Sequence, residues 1–66
     1  MVIFNNEILK ITDFKRIISI DESVISLEFK DNKIHFYGDK LRLTFFSKEE
    51  LQFKGKVKEI KVNEII

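Results

Sequence analysis

Hydrophobic and polar residues alternate along almost the whole chain, with the period of two that is typical of half-buried β-strands. The clearest register lies in VISLEFKDNKIHFYG, where a turn at Asp31 and Asn32 would bring two alternating strands together. A second turn at Asp39-Lys40 would continue the same buried face into the next strand. Two successive turns that agree on one face predict an antiparallel meander. Its expected core residues are Ile25, Leu27, Phe29, Ile34, Phe36, Leu41, Leu43 and Phe45.

Shorter alternating segments precede this meander. The segment VIFNNEILKIT predicts a hairpin with Asn5 and Asn6 at its turn, since asparagine tolerates a positive φ. In the segment that follows, Ile18 and Ile20 are the expected inward pair of a further short strand. The N-terminal third therefore adds about three strands to the predicted sheet.

The C-terminal third contains a break in the alternation. Apolar residues alternate from Leu51 to Val57 and resume out of phase at Ile60. Because one extra residue in a strand shifts the phase in this way, the pattern predicts a β-bulge or a sheet corner near residues 58–59.

The two glycines share a sequence context. Gly38 in IHFYG and Gly55 in LQFKG both follow the pattern apolar-x-Phe-x. We expect both at turns or bends where a side chain would obstruct a neighbouring chain segment.

These patterns together predict an all-β fold. We expect one small domain over residues 1–66, built as an antiparallel meander of about six or seven short strands. The sheet would close into a sandwich or an open barrel.

The composition limits how such a small domain can be stabilised. A chain of 66 residues buries only about 60% of the surface that it exposes when unfolded. It contains no cysteine, which excludes disulfide bonds and cysteine-based zinc sites. Oligomerisation is the remaining stabiliser, and we therefore expect a homo-oligomer.

The charge and hydropathy of the chain give expectations for its cellular location and for its binding to nucleic acid or membranes. Twelve basic and eleven acidic residues leave a net charge of +1, which gives no overall field to attract nucleic acid or a membrane surface. No apolar segment approaches the roughly 20 residues of a membrane span, and the N-terminus does not have the pattern of a secretory signal. We expect a cytoplasmic protein.

His35 is the only histidine and the first candidate for chemistry. In the predicted meander it points outward between Glu28 and Thr44, as part of an ordinary cross-strand surface pair. A metal site would need further ligands, and the sequence has no second histidine and no calcium-binding loop. It also has no nucleophile elbow and no glycine-rich phosphate loop. We predict no catalytic residue, cofactor, metal or small-molecule substrate.

Aromatic and basic residues on the outer face form the candidate binding surface. Tyr37 and Arg42 are expected as cross-strand neighbours, with Phe46 at the end of the next strand. Such residues are enriched in protein interfaces, but they also occur on solvated strands and on base-stacking surfaces. The balanced charge argues against nucleic acid. Three isoleucines that are out of phase with the core complete the candidate interface: Ile3, Ile8 and Ile17.

The order of these segments resembles the YabP/YqfC family of small sporulation proteins, and the YqfC branch more closely. The resemblance is carried by EILKITDFKRIISIDESVISLEF, KIHFYGDKLRL and LQFKGKVKEIKV. Gly38 with Leu41, and Gly55 with Val57, stand where the family pattern has its glycines and following apolar residues. Asp13 stands where the YabP branch typically has glycine, which favours the other branch.

The resemblance implies a non-enzymatic protein that is made in the mother cell during endospore formation. It would support assembly of the spore envelope, either coat or cortex, and could associate with the surface of the developing spore. Self-association or binding to a membrane-bound sporulation protein would both fit this role. The alternative from another class is a small β-barrel that binds single-stranded nucleic acid.

Overall fold

The computed structural model describes residues 2–5 and 8–65, and its regular elements are all β-strands. All neighbouring strands are antiparallel, in the order β1-β2-β6-β5-β4-β3. The predicted class is therefore confirmed. The predicted strand count is slightly off, because the last two strands each run for 15 residues. The strands are β1 (Val2–Asn5), β2 (Ile8–Thr12), β3 (Arg16–Ile20), β4 (Val24–Glu28), β5 (Asn32–Phe46) and β6 (Glu50–Glu64).

The predicted turn at Asp39-Lys40 is wrong, because β5 continues through these residues. Lys40 has a positive φ of 52° at an irregular position in the pairing of β5 with β6. Residues that favour turns also suit a β-bulge, where a strand bends without ending. The chain reverses further on, where the N–H of Glu50 donates a 3.1 Å hydrogen bond to the Ser47 hydroxyl.

A sharp bend divides the long β5–β6 hairpin. Phe53 on β6 pairs with Leu43 on β5, which lies seven residues from Phe36, or about 23 Å along a straight strand. The rings of Phe36 and Phe53 nevertheless lie only 5.5 Å apart between centroids. The hairpin must therefore fold back on itself between these positions.

A β-bulge at the bend confirms the prediction from the broken alternation. Tyr37 pairs with Glu59 and the next residue, Gly38, pairs with Val57, so Lys58 is the extra residue. Because a bulge bends its strand and increases the local twist, this extra residue contributes directly to the change of direction.

The bend turns one continuous sheet into two half-sheets. The first half-sheet contains β1, β2, residues 50–54 of β6 and residues 42–46 of β5. The second half-sheet contains β3, β4, residues 32–37 of β5 and residues 59–64 of β6.

The connection from β2 to β3 requires the half-sheets to face each other. These two strands are four strand spacings apart in the sheet, which is about 19 Å if the sheet were flat. The chain from Thr12 to Arg16 can reach at most about 14 Å. The structure is thus an open sheet folded over on itself, close to the predicted sandwich.

The core lies between the half-sheets and is built from aliphatic residues around two aromatic rings. Its edge-to-face aromatic pair, with planes at 67°, has the favourable geometry for such rings. The buried apolar residues are Leu9, Ile11, Ile25, Leu27, Phe36, Leu41, Leu51 and Phe53.

Bulges explain where the predicted core is wrong. Ile18 is exposed rather than inward, because a register shift at Ile18 leaves Ile17 half-buried against the core instead. Ile20 pairs with the buried Ile25, as an inward residue would, but is 43% exposed on the edge strand. Phe45 is 47% exposed rather than buried, because the register shift next to Thr44 reverses the phase of β5. Alternation in the sequence does not reveal where a strand gains a residue.

The β4–β5 turn is close to its predicted place. Asp31 lies in the loop, which the Phe29 N–H closes by donating to the Asn32 carbonyl at 2.7 Å, and Asn32 itself begins β5. A two-residue turn at Asp31 and Asn32 would place Leu27 opposite Phe36, but Leu27 pairs with Ile34, a difference of two residues. The inner face is preserved because a shift of two leaves each side chain on the same face.

The predicted turn at Asn5 and Asn6 is described only in part. Asn5 belongs to β1 and pairs with Ile8, so the strand runs one residue further than expected. Asn6 lies outside the described residues.

Candidate association surfaces

The outer face of the second half-sheet has a polar and aromatic cluster. The Ser26 hydroxyl and His35 Nδ1 share a 2.7 Å hydrogen bond, and Ser26 is only 5% exposed. The Tyr37 ring lies 6.3 Å from the imidazole, and Lys61 Nζ lies 5.7 Å from the centre of the Tyr37 ring. Because these contacts run along and across neighbouring strands, they stabilise the sheet in the way that cross-strand pairs do.

The predicted neighbours of His35 are wrong. It pairs with Ser26 on one side and Lys61 on the other, rather than with Glu28 and Thr44. Because the pairing of β4 with β5 differs by two residues from the prediction, Ser26 faces His35 in place of Glu28. Because β5 has no turn at Asp39-Lys40, Thr44 lies on the same strand as His35 and not on a neighbouring one. The imidazole therefore has a buried hydroxyl as its partner.

The structure does not make Tyr37 and Arg42 cross-strand neighbours. Both lie on β5, on either side of the bend, where Tyr37 pairs with Glu59 and Arg42 pairs with Lys54. Phe46 lies further along the same strand as Arg42 and is 56% exposed. The three candidate interface residues thus belong to separate parts of the surface.

The remaining three candidates are divided between the two half-sheets. Ile3 pairs with Lys10 in the first half-sheet. Ile8 lies at the start of β2 and is exposed, whereas Ile17 is half-buried against the core on β3. Ile17 therefore belongs to a different half-sheet from Ile3 and Ile8.

Exposed apolar side chains occur instead on both arms of the hairpin beyond the core. Phe45 and Phe46 lie on the β5 arm, where β4 no longer pairs with β5. Ile60 and Val62 lie on the β6 arm, where β2 no longer pairs with β6, and they are 52% and 56% exposed. The sequence indicated the change of phase at Ile60. Only the strand order shows that these parts of β5 and β6 are paired on one side.

The glycines lie where the two arms of the hairpin approach each other at the bend. A Cβ atom on Gly38 would collide with the carbonyl oxygen of Lys56. A Cβ atom on Gly55, whose φ is +138°, would lie 2.7 Å from the carbonyl oxygen of Lys40. Both positions therefore require glycine for close backbone approach.

Positive charge is concentrated around the same bend. Arg42 lies directly opposite Lys54, which is an unfavourable pairing of like charges. Lys58, the bulged residue, forms a 2.6 Å ion pair with Asp39. The hydrogen bond and positive charge of Lys58 lower the pKa of the Asp39 carboxyl below its ordinary value of 3.8.

The described part of the chain brings together no three histidine, aspartate or glutamate side chains that could hold a metal ion. Among residues 2–5 and 8–65 there is also no helix long and apolar enough to cross a membrane.

The folded, open antiparallel sheet defines the class of this chain as a small all-β protein. The sequence matches the YabP family over residues 1–64, and the chain therefore belongs to the YabP family. Membership of this family is consistent with a sporulation-related role. The comparison with curated proteins and the comparison with solved structures gave no match.

Proposed function

We propose that this chain is a non-enzymatic assembly protein of the developing spore. It is made in the mother cell, associates with the surface of the developing spore, and supports assembly of the coat or cortex. It acts by associating with other copies of itself. Family membership supports the sporulation part of this proposal.

The exposed apolar edges are the observation that carries the assembly part. Phe46 and Val62 are each 56% exposed, and each lies on a strand segment that is paired on one side only. An edge strand with exposed apolar side chains is a template for pairing with another chain. A small domain without disulfide bonds also gains stability from such association.

Light scattering of the purified protein tests self-association. We expect the apparent mass to rise above that of the 7.9 kDa chain between micromolar and millimolar concentration. Negative-stain microscopy then distinguishes discrete rings from filaments. A monomer over the whole concentration range would contradict self-association.

Deletion of the gene in the spore-forming host tests the cellular role. We expect spores with a defective envelope in thin-section electron microscopy and with reduced resistance to lysozyme. Complementation with the intact gene is the control. An unchanged envelope together with a diffuse fluorescent fusion throughout sporulation would contradict the role.

The positive charge at the bend favours a second candidate function, binding of single-stranded nucleic acid. Arg42 and Lys54 are adjacent cations, and Lys40 lies beside them on the lining of a shallow depression. If nucleic acid binds there, affinity for an oligonucleotide should fall steeply as salt rises. The absence of binding at low salt would eliminate this function.

A membrane-bound sporulation protein is the alternative partner for the exposed edges. It would occupy the same strand segments that self-association uses, so a purified monomer would favour it. Co-purification with membranes of sporulating cells would then identify this class of partner.

A further inference from the structure

The last part of β6, residues 59–64, is a regular and open strand edge. It pairs with β5 in unbroken register from Tyr37–Glu59 to Asn32–Glu64. β2 pairs with β6 only as far as Lys54, so no strand of the described chain covers the other side of this segment. We refer to residues 59–64 as the β6 edge.

Hydrogen-bond directions show which residues offer backbone groups to a new strand. The Ile65 N–H donates to the Asp31 carbonyl at 3.0 Å, which makes these residues a hydrogen-bonded pair of the β5–β6 ladder. Hydrogen-bonded and non-hydrogen-bonded pairs alternate along an antiparallel ladder. The N–H and C=O groups of Ile60, Val62 and Glu64 therefore point away from β5.

An independent hydrogen bond on the other side of β5 agrees with this assignment. The Gly38 N–H donates to the Ser23 carbonyl at 3.0 Å, so even-numbered residues of this part of β5 bond towards β4. Odd-numbered residues, such as His35, consequently bond towards β6, where His35 faces Lys61. Both ladders therefore show that the backbone N–H and C=O groups of Ile60 and Val62 point away from β5.

The other edges carry the features that natural sheets use to prevent strand addition. β3 has a bulge at Ile18, and the β5 arm has an irregularity next to Thr44. β1 has only four residues. The β6 edge has no bulge within residues 59–64 and is longer than β1, and its two apolar side chains are more than half exposed. Its charged residues are Glu59, Lys61 and Glu64.

We propose that the β6 edge pairs antiparallel with the β6 edge of a second copy, about a two-fold axis at Val62. This inference rests on the self-association proposed above and assigns it to one strand. In this register Val62 lies opposite its own copy, and Ile60 lies opposite Glu64 of the second chain. All six outward backbone groups of each strand find partners.

Charge favours this register over its neighbour. With the axis at Val62, Lys61 lies opposite Asn63 of the second chain, and no two like charges are directly opposite. With the axis at Lys61, the two Lys61 side chains would face each other, which is destabilising. On the inner face, the two Val62 side chains would lie opposite each other with Ile60 of each copy diagonally adjacent, which withdraws apolar surface from water. Glu64 of each chain would lie at the ends of this strip, opposite Ile60.

Single-cysteine cross-linking tests the register, because the natural chain has no cysteine. In an antiparallel hydrogen-bonded pair the two Val62 Cα atoms are about 5.5 Å apart, within the range of a disulfide bond. Under mild oxidation we expect Val62→Cys to form covalent dimers at least tenfold faster than Ile18→Cys. The control residue is also exposed, but lies on the bulged edge of β3. Equal rates would overturn the proposal.

A charge at the same position provides a second readout. Val62→Lys places two ammonium groups face to face, and we expect the dimer dissociation constant to rise at least tenfold. Circular dichroism should remain unchanged because Val62 is exposed, and Ile18→Lys is the matched control. An oligomer that is unaffected by Val62→Lys would overturn the β6-edge assignment and leave self-association standing. A wild-type monomer at millimolar concentration would overturn both.

Discussion

The rings of Phe36 and Phe53 pack edge to face across the core, 5.5 Å apart between centroids. Each ring precedes a glycine by two residues, and both glycines lie at the bend of the hairpin. Phe36 pairs with Ile25 on β4, just as Phe53 pairs with Leu9 on β2. The two arms of the hairpin thus have equivalent roles, which gives the fold an approximate internal two-fold symmetry.

Removal of either ring should destabilise the protein strongly. Phe36→Ala or Phe53→Ala leaves a cavity between the half-sheets, and we expect the free energy of unfolding to fall by about 3–5 kcal/mol. For a domain of this size such a loss approaches the whole stability, so many molecules will be unfolded at 25 °C. Urea denaturation followed by circular dichroism measures the change.

A matched control for the core rings is Phe45→Ala, since Phe45 is 47% exposed. We expect a much smaller change in the free energy of unfolding, because less apolar surface is returned to water. Equal destabilisation by Phe45→Ala and Phe36→Ala would contradict the assignment of the core.

The glycines at the bend should not tolerate alanine. Gly55→Ala forces a side chain into a positive-φ conformation and towards the Lys40 carbonyl, at a cost of about 1–3 kcal/mol from the backbone alone. Gly38→Ala must displace the backbone of Lys56 and should cost at least as much. Thermal melts measure both variants. Lys56→Ala is the control, and wild-type stability of either glycine variant would contradict the close approach.

Much of the fold follows from the sequence because period-two alternation determines the class and the faces of the strands. The bulge at Lys58 was also predictable, since the alternation changes phase beside it. The bend was predictable only in part, because the glycines and the change of phase indicated a bend or corner, whereas Asp39 and Lys40 fit a turn as well as they fit a bulged strand. The continuous pairing of β5 with β6 on both sides of these residues, and the packing of Phe36 against Phe53, distinguish the two arrangements.

The candidate surface was less predictable than the fold. Arg42 was assigned to the wrong neighbour because the prediction ended β5 at a turn that does not form. Ile60 and Val62 are equally apolar in a core or on an edge, so their exposure depends on which strands lie beside them. Strand order is a long-range property that alternation does not encode.

The hydrogen bond between Ser26 and His35 should contribute measurably to stability. Ser26→Ala removes the hydroxyl and leaves the part-buried imidazole Nδ1 without this partner, at a cost of about 1–3 kcal/mol. Urea denaturation at pH 7 measures the loss. Ser19→Ala removes an exposed hydroxyl on the neighbouring strand, and we expect a change within about 0.5 kcal/mol. Equal effects of the two substitutions would contradict a stabilising role for the bond.

The ion pair between Asp39 and Lys58 should make the stability depend on pH in the acid range. The Lys58 ammonium lowers the pKa of Asp39 in the folded protein below its ordinary value of 3.8. A carboxyl with a lowered folded pKa contributes stability above its unfolded pKa and loses it as the pH falls through the folded pKa. We therefore expect Asp39→Asn to be less stable than the wild type at pH 6, and the difference to disappear in strong acid.

Denaturation of Asp39→Asn, Lys58→Gln and the double variant at pH 6 isolates the contribution of the pair. If the two side chains act on each other, the second substitution should change stability less in the presence of the first. Because both side chains are exposed, the difference should also shrink as salt is raised. Fully additive effects, or a wild-type advantage that persists at pH 2, would contradict the ion pair.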